Sequence, residues 1–402
     1  MFLDVLIRRN PRFIEAAMAL HQSGAIPPNS YVLDLDTIES NARVFSNKAT
    51  SLGLKTFAMT KQVGRHSGFC QAIMKGGVDR SVAVDMDCAI ACHRAGLKTG
   101  HLGHLVQVPG GDAEFAAAQL RPDYWTVFSP EKAAEAAQAA HNAGRTQKIL
   151  ARIQSEGDTF YRGHEGGFSA SDICNVADQI DALAGASFAG ITTFPALLFD
   201  LENRRVKPTP NLDTLARAKE ALAAAGRSNI EVNAPGTNSA VMLDALANAG
   251  ATQCEPGNAL HGTTPLHALE DLPEEPAVLY LSEVSHHHGG NAFCFGGGLY
   301  IDPVFPRYNV QAIVSGEPTS SHAALTNVEI PDYSAIDYYA MLDATGPVKP
   351  KTGDTAVFGF RGQAFVTRAN IVGISGVSAG AAQVTTIENT FGQAINWPER
   401  VL

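Results

Sequence analysis

Lys61 closes the mostly apolar run Phe57-Ala-Met-Thr60, and Gly64, Arg65 and His66 follow almost at once. A strand of this kind sets one amine at the mouth of a sheet, where it is a candidate Schiff-base former; the plain alternative is a solvated surface lysine. Far downstream lie Asn233-Ala-Pro-Gly-Thr-Asn-Ser239 and Glu255-Pro-Gly-Asn258, two Gly-containing turns that each leave a short strand. Gly236, Thr237, Ser239, Gly257 and Asn258 offer hydroxyls and backbone amides suited to a dianionic phosphate. Taken singly, each turn also reads as an ordinary strand-to-helix connection with N-cap residues.

Those groups need a scaffold that brings distant strands together. The chain has 402 residues, 45% of them hydrophobic, which supports a large domain and a smaller one. A formal net charge of −10 without any Lys/Arg-rich run argues against nucleic acid or an anionic membrane as partner, so a small-molecule substrate is expected. The six cysteines, at 70, 88, 92, 174, 254 and 294, have no CxxC spacing and read as reduced, mostly buried thiols. With no basic leader before the short apolar run at the N-terminus and no span-length apolar stretch, the expected location is cytoplasmic.

Apolar spacing over residues 10 to 24, with Asn10 as N-cap and Pro11 in the first turn, predicts a helix ended by Pro27-Pro28. From Tyr31 onward, strand candidates begin near 31, 56, 81, 99, 124, 148, 188, 230 and 251, with helical periodicity between most of them, which is an α/β pattern. Nine strands are one too many for a closed (β/α)8 TIM barrel. If Tyr31-Val-Leu-Asp-Leu35 is the outsider, the Lys61 strand is barrel strand one, the Glu255 strand is strand eight, and the two are neighbours. The Gly236 and Gly257 turns then follow strands seven and eight, where such barrels hold phosphate. A doubly wound open sheet is the alternative. Beyond about residue 270 the texture becomes β-rich and Gly-punctuated, with strand candidates at 277–284, 292–300, 310–315, 354–360 and 363–372. The expected organisation is an extension over 1–30, a barrel over 31–268 and a C-terminal β domain over 269–402.

The order of strand-lysine, barrel, Thr/Asn/Ser turn, Glu-Pro-Gly and β domain resembles the fold-type III pyridoxal-phosphate enzymes: alanine racemase, ornithine racemase and the eukaryotic-type ornithine decarboxylases. Met59-Thr-Lys-Gln62, His101-Leu-Gly-His-Leu-Val-Gln-Val-Pro109, Glu165-Gly-Gly-Phe168, Glu255-Pro-Gly257, Ser282-Glu-Val-Ser-His286 and Gly296-Gly-Gly298 look closer to YhfX-type proteins of that superfamily. The resemblance implies pyridoxal 5'-phosphate as cofactor, held by Lys61 as a Schiff base. It also implies phosphate contacts from Ser239 and the amides around Gly236, Thr237, Gly257 and Asn258. Arg65 stands where alanine racemase has a phosphate-binding tyrosine, and a cation there serves the same dianion. His104 is a candidate for the cofactor ring, or a core histidine. Glu255 departs from alanine racemase, which has arginine before this Pro-Gly; a carboxylate instead favours a protonated pyridine ring, the stronger electron sink.

Racemisation needs a proton acceptor on each face. Lys61 serves one; the resemblance places the other in the β domain, often of a partner subunit, which makes a homodimer the expected state. His286, at the start of His286-His-His288, competes with Tyr338 or Tyr339 for that role. Tyr161, Arg162, His164 and Glu165 form a polar loop that could read the substrate, and Arg361 is a candidate carboxylate clamp. No metal is expected: the metal-dependent D-threonine aldolases and D-serine dehydratases carry a His and a Cys late in the β domain, and Phe360-Arg-Gly-Gln-Ala-Phe365 has neither. The expected function is a PLP-dependent amino-acid racemase or epimerase. The alternatives are a decarboxylase or lyase on the same scaffold, and a non-catalytic PLP carrier.

Overall fold

The computed structural model describes residues 1–301 and 309–399. The chain forms two compact units that are not linear halves: Arg43–Thr60 with Gly77–Gly257 make one, and Met1–Ala42, Lys61–Gly76 and Asn258–Leu402 make the other.

The first unit is a parallel barrel. Its strands are Arg80–Val82, Lys98–Leu102, Tyr124–Val127, Gln147–Gln154, Ala186–Thr192, Glu231–Asn233 and Gln253–Cys254, together with a run split into Lys55–Thr56 and Ala58–Met59. The two pieces of that run close the sheet. Lys55–Thr56 pairs with Gln253–Cys254, and Ala58–Met59 pairs with Arg80–Val82. Phe57 N–H still donates to the Cys254 carbonyl (3.0 Å) and Met59 N–H to that of Pro256 (2.8 Å), so the interruption is local and the barrel has eight strands. All eight match the expected positions. Strands such as Tyr124–Val127 are buried along their whole length, as parallel strands covered on both faces must be.

Local chemistry sets the connecting helices. Ser129 caps Pro130–Asn142 by accepting from Lys132 N–H, with Pro at the first position and Ala133, Ala136, Ala137 and Ala140 on the buried face. Asp85 caps Met86–Arg94 in the same way, accepting from Cys88 N–H at 2.7 Å.

The second unit is built on a nine-stranded sheet, antiparallel except where Ser30–Asp34 runs beside Asn370–Ser375. Ser30–Asp34 lies inside that sheet, between Val278–His288 and Asn370–Ser375, so the strand set aside from the barrel count does belong elsewhere. The helices Phe2–Arg9 and Pro11–Gln22 cover one face, packing Leu3, Leu6, Phe13, Ile14 and Met18 against Val32, Leu279, Leu281, Ile313 and Val372. Three expectations change here. Asn10 precedes the second helix without capping it, because its amide donates to Asp34 (3.1 Å) and to the Pro276 carbonyl (3.0 Å). That helix stops at Gln22, where Gly24 takes a left-handed φ of +82° and the next N–H, from Ala25, bonds back to Leu20, so Gly24 and not the Pro pair ends it. The segment 363–372 is a strand only from Asn370, preceded by a 3-10 turn at Ala364–Val366. No helix among the described residues is long and apolar enough to cross a membrane.

Candidate active site

Glu255 leaves the eighth barrel strand into a nest of side chains from strands three, four and seven. It is 6% exposed. Oε1 accepts from His101 Nδ1 (2.5 Å) and from Asn233 Nδ2 (2.8 Å), and Oε2 lies 3.3 Å from His104 Nε2. Burial alone would protonate this carboxyl, but His104 and His101 beside it, with the bonds from His101 and Asn233, outweigh the burial and hold it below the ordinary glutamate range. Cys254, next in the chain, has its thiol pushed up to about 12, chiefly by burial, and so stays neutral. His101 is itself anchored: its Nε2 lies 2.5 Å from Thr126 Oγ1. Both histidines reach one carboxylate because Gly103 between them adopts φ +78°, and a Cβ there would meet the Thr126 carbonyl at 2.5 Å.

His101, His104 and Glu255 are also the one group among the described residues whose ligand atoms lie close enough together to suggest a metal ion. His286, His287 and His288 occupy successive positions of a strand and are exposed.

The turn after strand seven lies against that after strand six. Ala196 N–H donates to the Pro235 carbonyl (2.7 Å) and Thr237 N–H to the Leu197 carbonyl (3.0 Å). A Cβ at Gly236 would meet Leu197 backbone atoms at 2.5 and 2.7 Å, so only glycine allows this approach. The Thr237 amide is therefore already used, and its hydroxyl is the group it could offer a phosphate. Ser239 is buried, and Asn238 beside it is 3% exposed with neither its side-chain oxygen nor its nitrogen hydrogen-bonded. A buried amide left open on both atoms is costly unless a ligand completes it.

Arg152, on strand five, was not singled out in the sequence. It is 1% exposed, donates to the carbonyls of His164 (2.7 Å), Phe194 (3.3 Å) and His104 (3.5 Å), and lies over the rings of Phe128 and Phe160. Burial brings its value down to about 10, still charged at neutral pH. It ties together the loops after strands three, five and six. Along those loops His104, Phe194, His164 and Tyr161 make a run of ring contacts, at 5.6 Å, 6.0 Å and 5.6 Å between successive centroids. Arg162 is exposed, 3.9 Å from Glu165.

The remaining candidates belong to the second unit. Lys61 follows Thr60 directly and opens a 3-10 turn, with Nζ 5.0 Å from the centre of the Phe365 ring. Arg65, 3% exposed and at φ +57°, shares that ring at 5.6 Å, lies 5.7 Å from Phe391, and donates to the Thr390 carbonyl (2.8 Å). Asn258 and Arg361 form a pair: with the amide oxygen of Asn258 turned toward it, Arg361 donates from Nε (2.8 Å) and Nη2 (3.1 Å). The clamp candidate thus grips a neighbour of the Gly257 turn. His286 is stacked on Phe293 (4.7 Å, 9°) and edge-on to Tyr339. Tyr338 is 60% exposed, with Arg368 over its ring.

A (β/α)8 barrel joined in one chain to a β domain is the scaffold of fold-type III pyridoxal-phosphate enzymes. Residues 33–265 match the alanine racemase N-terminal domain, and residues 279–384 match the YhfX-like C-terminal domain. A protein of Escherichia coli strain K12, the uncharacterized protein YhfX, is 38% identical over 395 residues, covering 98% of this chain and 100% of that one. The chain belongs to the alanine racemase family, in its YhfX-like form. Among solved structures, D-threonine aldolase from Filomicrobium marinum superposes with a TM-score of 0.67 at 16% identity, covering 92% of this chain and 96% of that one. Alanine racemase from Clostridium difficile 630 in complex with cycloserine gives 0.63 at 16%, covering 91% and 99%. D-threo-3-hydroxyaspartate dehydratase from Delftia sp. HT23 gives 0.63 at 16%, covering 89% and 96%. These likenesses establish the fold.

Within the barrel unit, the residues fit the cofactor that this family implies. Glu255 is a buried anion whose hydrogen-bonded neighbours are imidazoles and an amide, and its Oε2 carries a single, longer contact, which leaves capacity for one more donor. Asn238 supplies a second unfilled polar position in the turn after strand seven.

Proposed function

We propose that this protein is a PLP-dependent racemase or epimerase acting at the α-carbon of a small amino acid. The observation that carries the proposal is the ionised, buried Glu255. A carboxylate there complements a protonated pyridine nitrogen, the electronic state suited to carbanion chemistry. Pyridoxal 5'-phosphate, when bound, withdraws electrons from the substrate α-carbon so that a bond there can break.

Glu255 would accept from the ring nitrogen and keep its charge, because His101, His104 and Asn233 face it with donors. Ser239, Asn238 and the amide of Gly236 would hold the phosphate end. Lys61 Nζ would hold the cofactor and would take and return the α-proton on one face. Asn258 and Arg361 offer the guanidinium for the substrate carboxylate. Tyr161, Arg162 and His164 read the substrate side chain.

A second proton donor is needed on the other face. His286 and Tyr338 are both exposed within one chain, so this reading includes a homodimer in which one of them completes the partner's site. Tyr338 adjoins Asp337 and Arg368, which border an open groove of about 620 Å³ with Leu299, Tyr300, Pro331 and Val366. The same exposure supports a second reading, a lyase such as an aldolase, dehydratase or decarboxylase, which needs only one such group.

Three measurements test this. Adding pyridoxal 5'-phosphate should produce a visible absorbance band that borohydride and Lys61→Ala each abolish; a protein that stays colourless ends the proposal. Solvent deuterium entering the α-carbon with loss of optical rotation supports racemisation. Release of carbon dioxide, an aldehyde or a keto acid without racemisation transfers the assignment to the lyase. A single-chain mass by light scattering at working concentration would remove the dimer, and full activity of both His286→Ala and Tyr338→Phe would remove both second-base candidates.

A further inference from the structure

We propose that His101 is a positioning residue: with Thr126 fixing its ring, it holds Glu255 as a carboxylate and commits Oε1, leaving Oε2 for the proton-bearing ring nitrogen. This rests on the cofactor reading above and assigns the division of labour within the site.

An ionised carboxylate can only accept hydrogen bonds. Glu255 Oε1 lies 2.5 Å from His101 Nδ1, so His101 must present a proton on Nδ1. Its Nε2 lies 2.5 Å from Thr126 Oγ1, a contact on the far side of the ring. A hydroxyl on strand four thus fixes the orientation in which Nδ1 faces the carboxylate. Asn233 adds a second donor to the same oxygen at 2.8 Å. Oε1 is filled and Oε2 is not: its contact is His104 Nε2 at 3.3 Å. The groups facing the carboxyl are His101, His104, Asn233 and the neutral Cys254 thiol, while Arg152 donates to backbone carbonyls, that of His104 among them. The charge of Glu255 persists through His104 and His101 beside it and through directed hydrogen bonds, of which His101 provides the shortest.

The test is infrared spectroscopy of cofactor-free protein, following the C=O stretch of a protonated carboxylic acid assigned by its absence in Glu255→Gln. Wild type should lack this band at neutral pH and acquire it only on acidification. In His101→Leu the pH at which it appears should rise by about one to three units. His101→Asn, whose Nδ2 can donate from the place of Nδ1, should restore most of the wild-type behaviour, which a packing role would not. Thr126→Val should shift the band in the same direction as His101→Leu but add nothing in the His101→Leu background. If His101→Leu folds with its band where wild type has it, or if Thr126→Val and His101→Leu simply add, the proposal fails. Should His101→Leu not fold, His101→Asn against Thr126→Val decides: equal shifts in both would overturn the role of the Nδ1 proton. Failure of the cofactor reading would appear separately, as wild-type protein that takes up no pyridoxal 5'-phosphate.

Discussion

Two glutamates on adjacent barrel strands meet opposite fates. Glu231 begins the seventh strand and faces one end of the barrel; Glu255 follows the eighth and faces the other. Glu231 is bonded to the Lys55 ammonium, to Tyr124 OH (2.8 Å) and to Thr252 Oγ1 (2.6 Å), beside an open groove of about 520 Å³ that Lys55 and Tyr124 line. Its value is lowered because Lys55, Thr252 and Tyr124 outweigh the effect of burial. The pair is electrically complete. Glu255 has as many partners but no lysine or arginine among them: an amide and two imidazoles orient it in the interior. A carboxylate closed by an ammonium is a latch; one held by imidazoles and an amide, with an oxygen left open, has room for a further donor.

Substitutions can break that contrast. Glu255→Gln should lower turnover of the cofactor-loaded enzyme by about 10²-fold or more, since it removes charge stabilisation at the reacting system, whereas Glu231→Gln should leave turnover within about twofold; comparable losses in both would erase the distinction. Stability should sort the other way, with Lys55→Met costing roughly 1–3 kcal/mol in urea unfolding by stranding a half-buried carboxylate. Acid sharpens the picture. Both carboxyls are held below their unfolded value of about 4.3, so each contributes stability that is present above that pH and is lost as pH falls through the depressed native value. Glu255→Gln should therefore flatten the acid limb of a stability profile by up to one proton, about 1.4 kcal/mol per pH unit, and an unchanged slope would mean that Glu255 is protonated in the native state. Tyr124→Phe should have the smallest effect, about 0.5–1.5 kcal/mol, readable as a shifted unfolding midpoint with cofactor binding unaltered.

Much of the architecture is legible in the chain. Short apolar strands alternating with amphipathic helices locate all eight barrel strands, and the turn residues after strands seven and eight mark one end of the barrel. The helix Phe2–Arg9 escaped notice although Leu3, Leu6 and Ile7 recur at helical spacing, because a short N-terminal apolar run was weighed only as a possible leader. The strands Leu325–Glu329, Tyr339–Asp343 and Gln383–Glu388 alternate too weakly to stand out from loop, and their partners across the sheet define them. In the site, Lys61 and Glu255 are recognisable because unusual residues follow strands. His101, Thr126, Asn233 and Arg152 are not, since each is an ordinary polar residue within a strand and owes its importance to a neighbour far away in the chain.

The amino-acid sequence alone determined the residue types at the strand ends, the alternation of strands and helices and the resemblance to a family. Only the tertiary structure decided which carboxylate is closed by an ammonium and which is held by imidazoles and an amide with an oxygen left open. That outcome depends on burial and on donors brought from positions 101, 104 and 233 to position 255, and neither dielectric surroundings nor long-range hydrogen bonds are properties of a local stretch of chain.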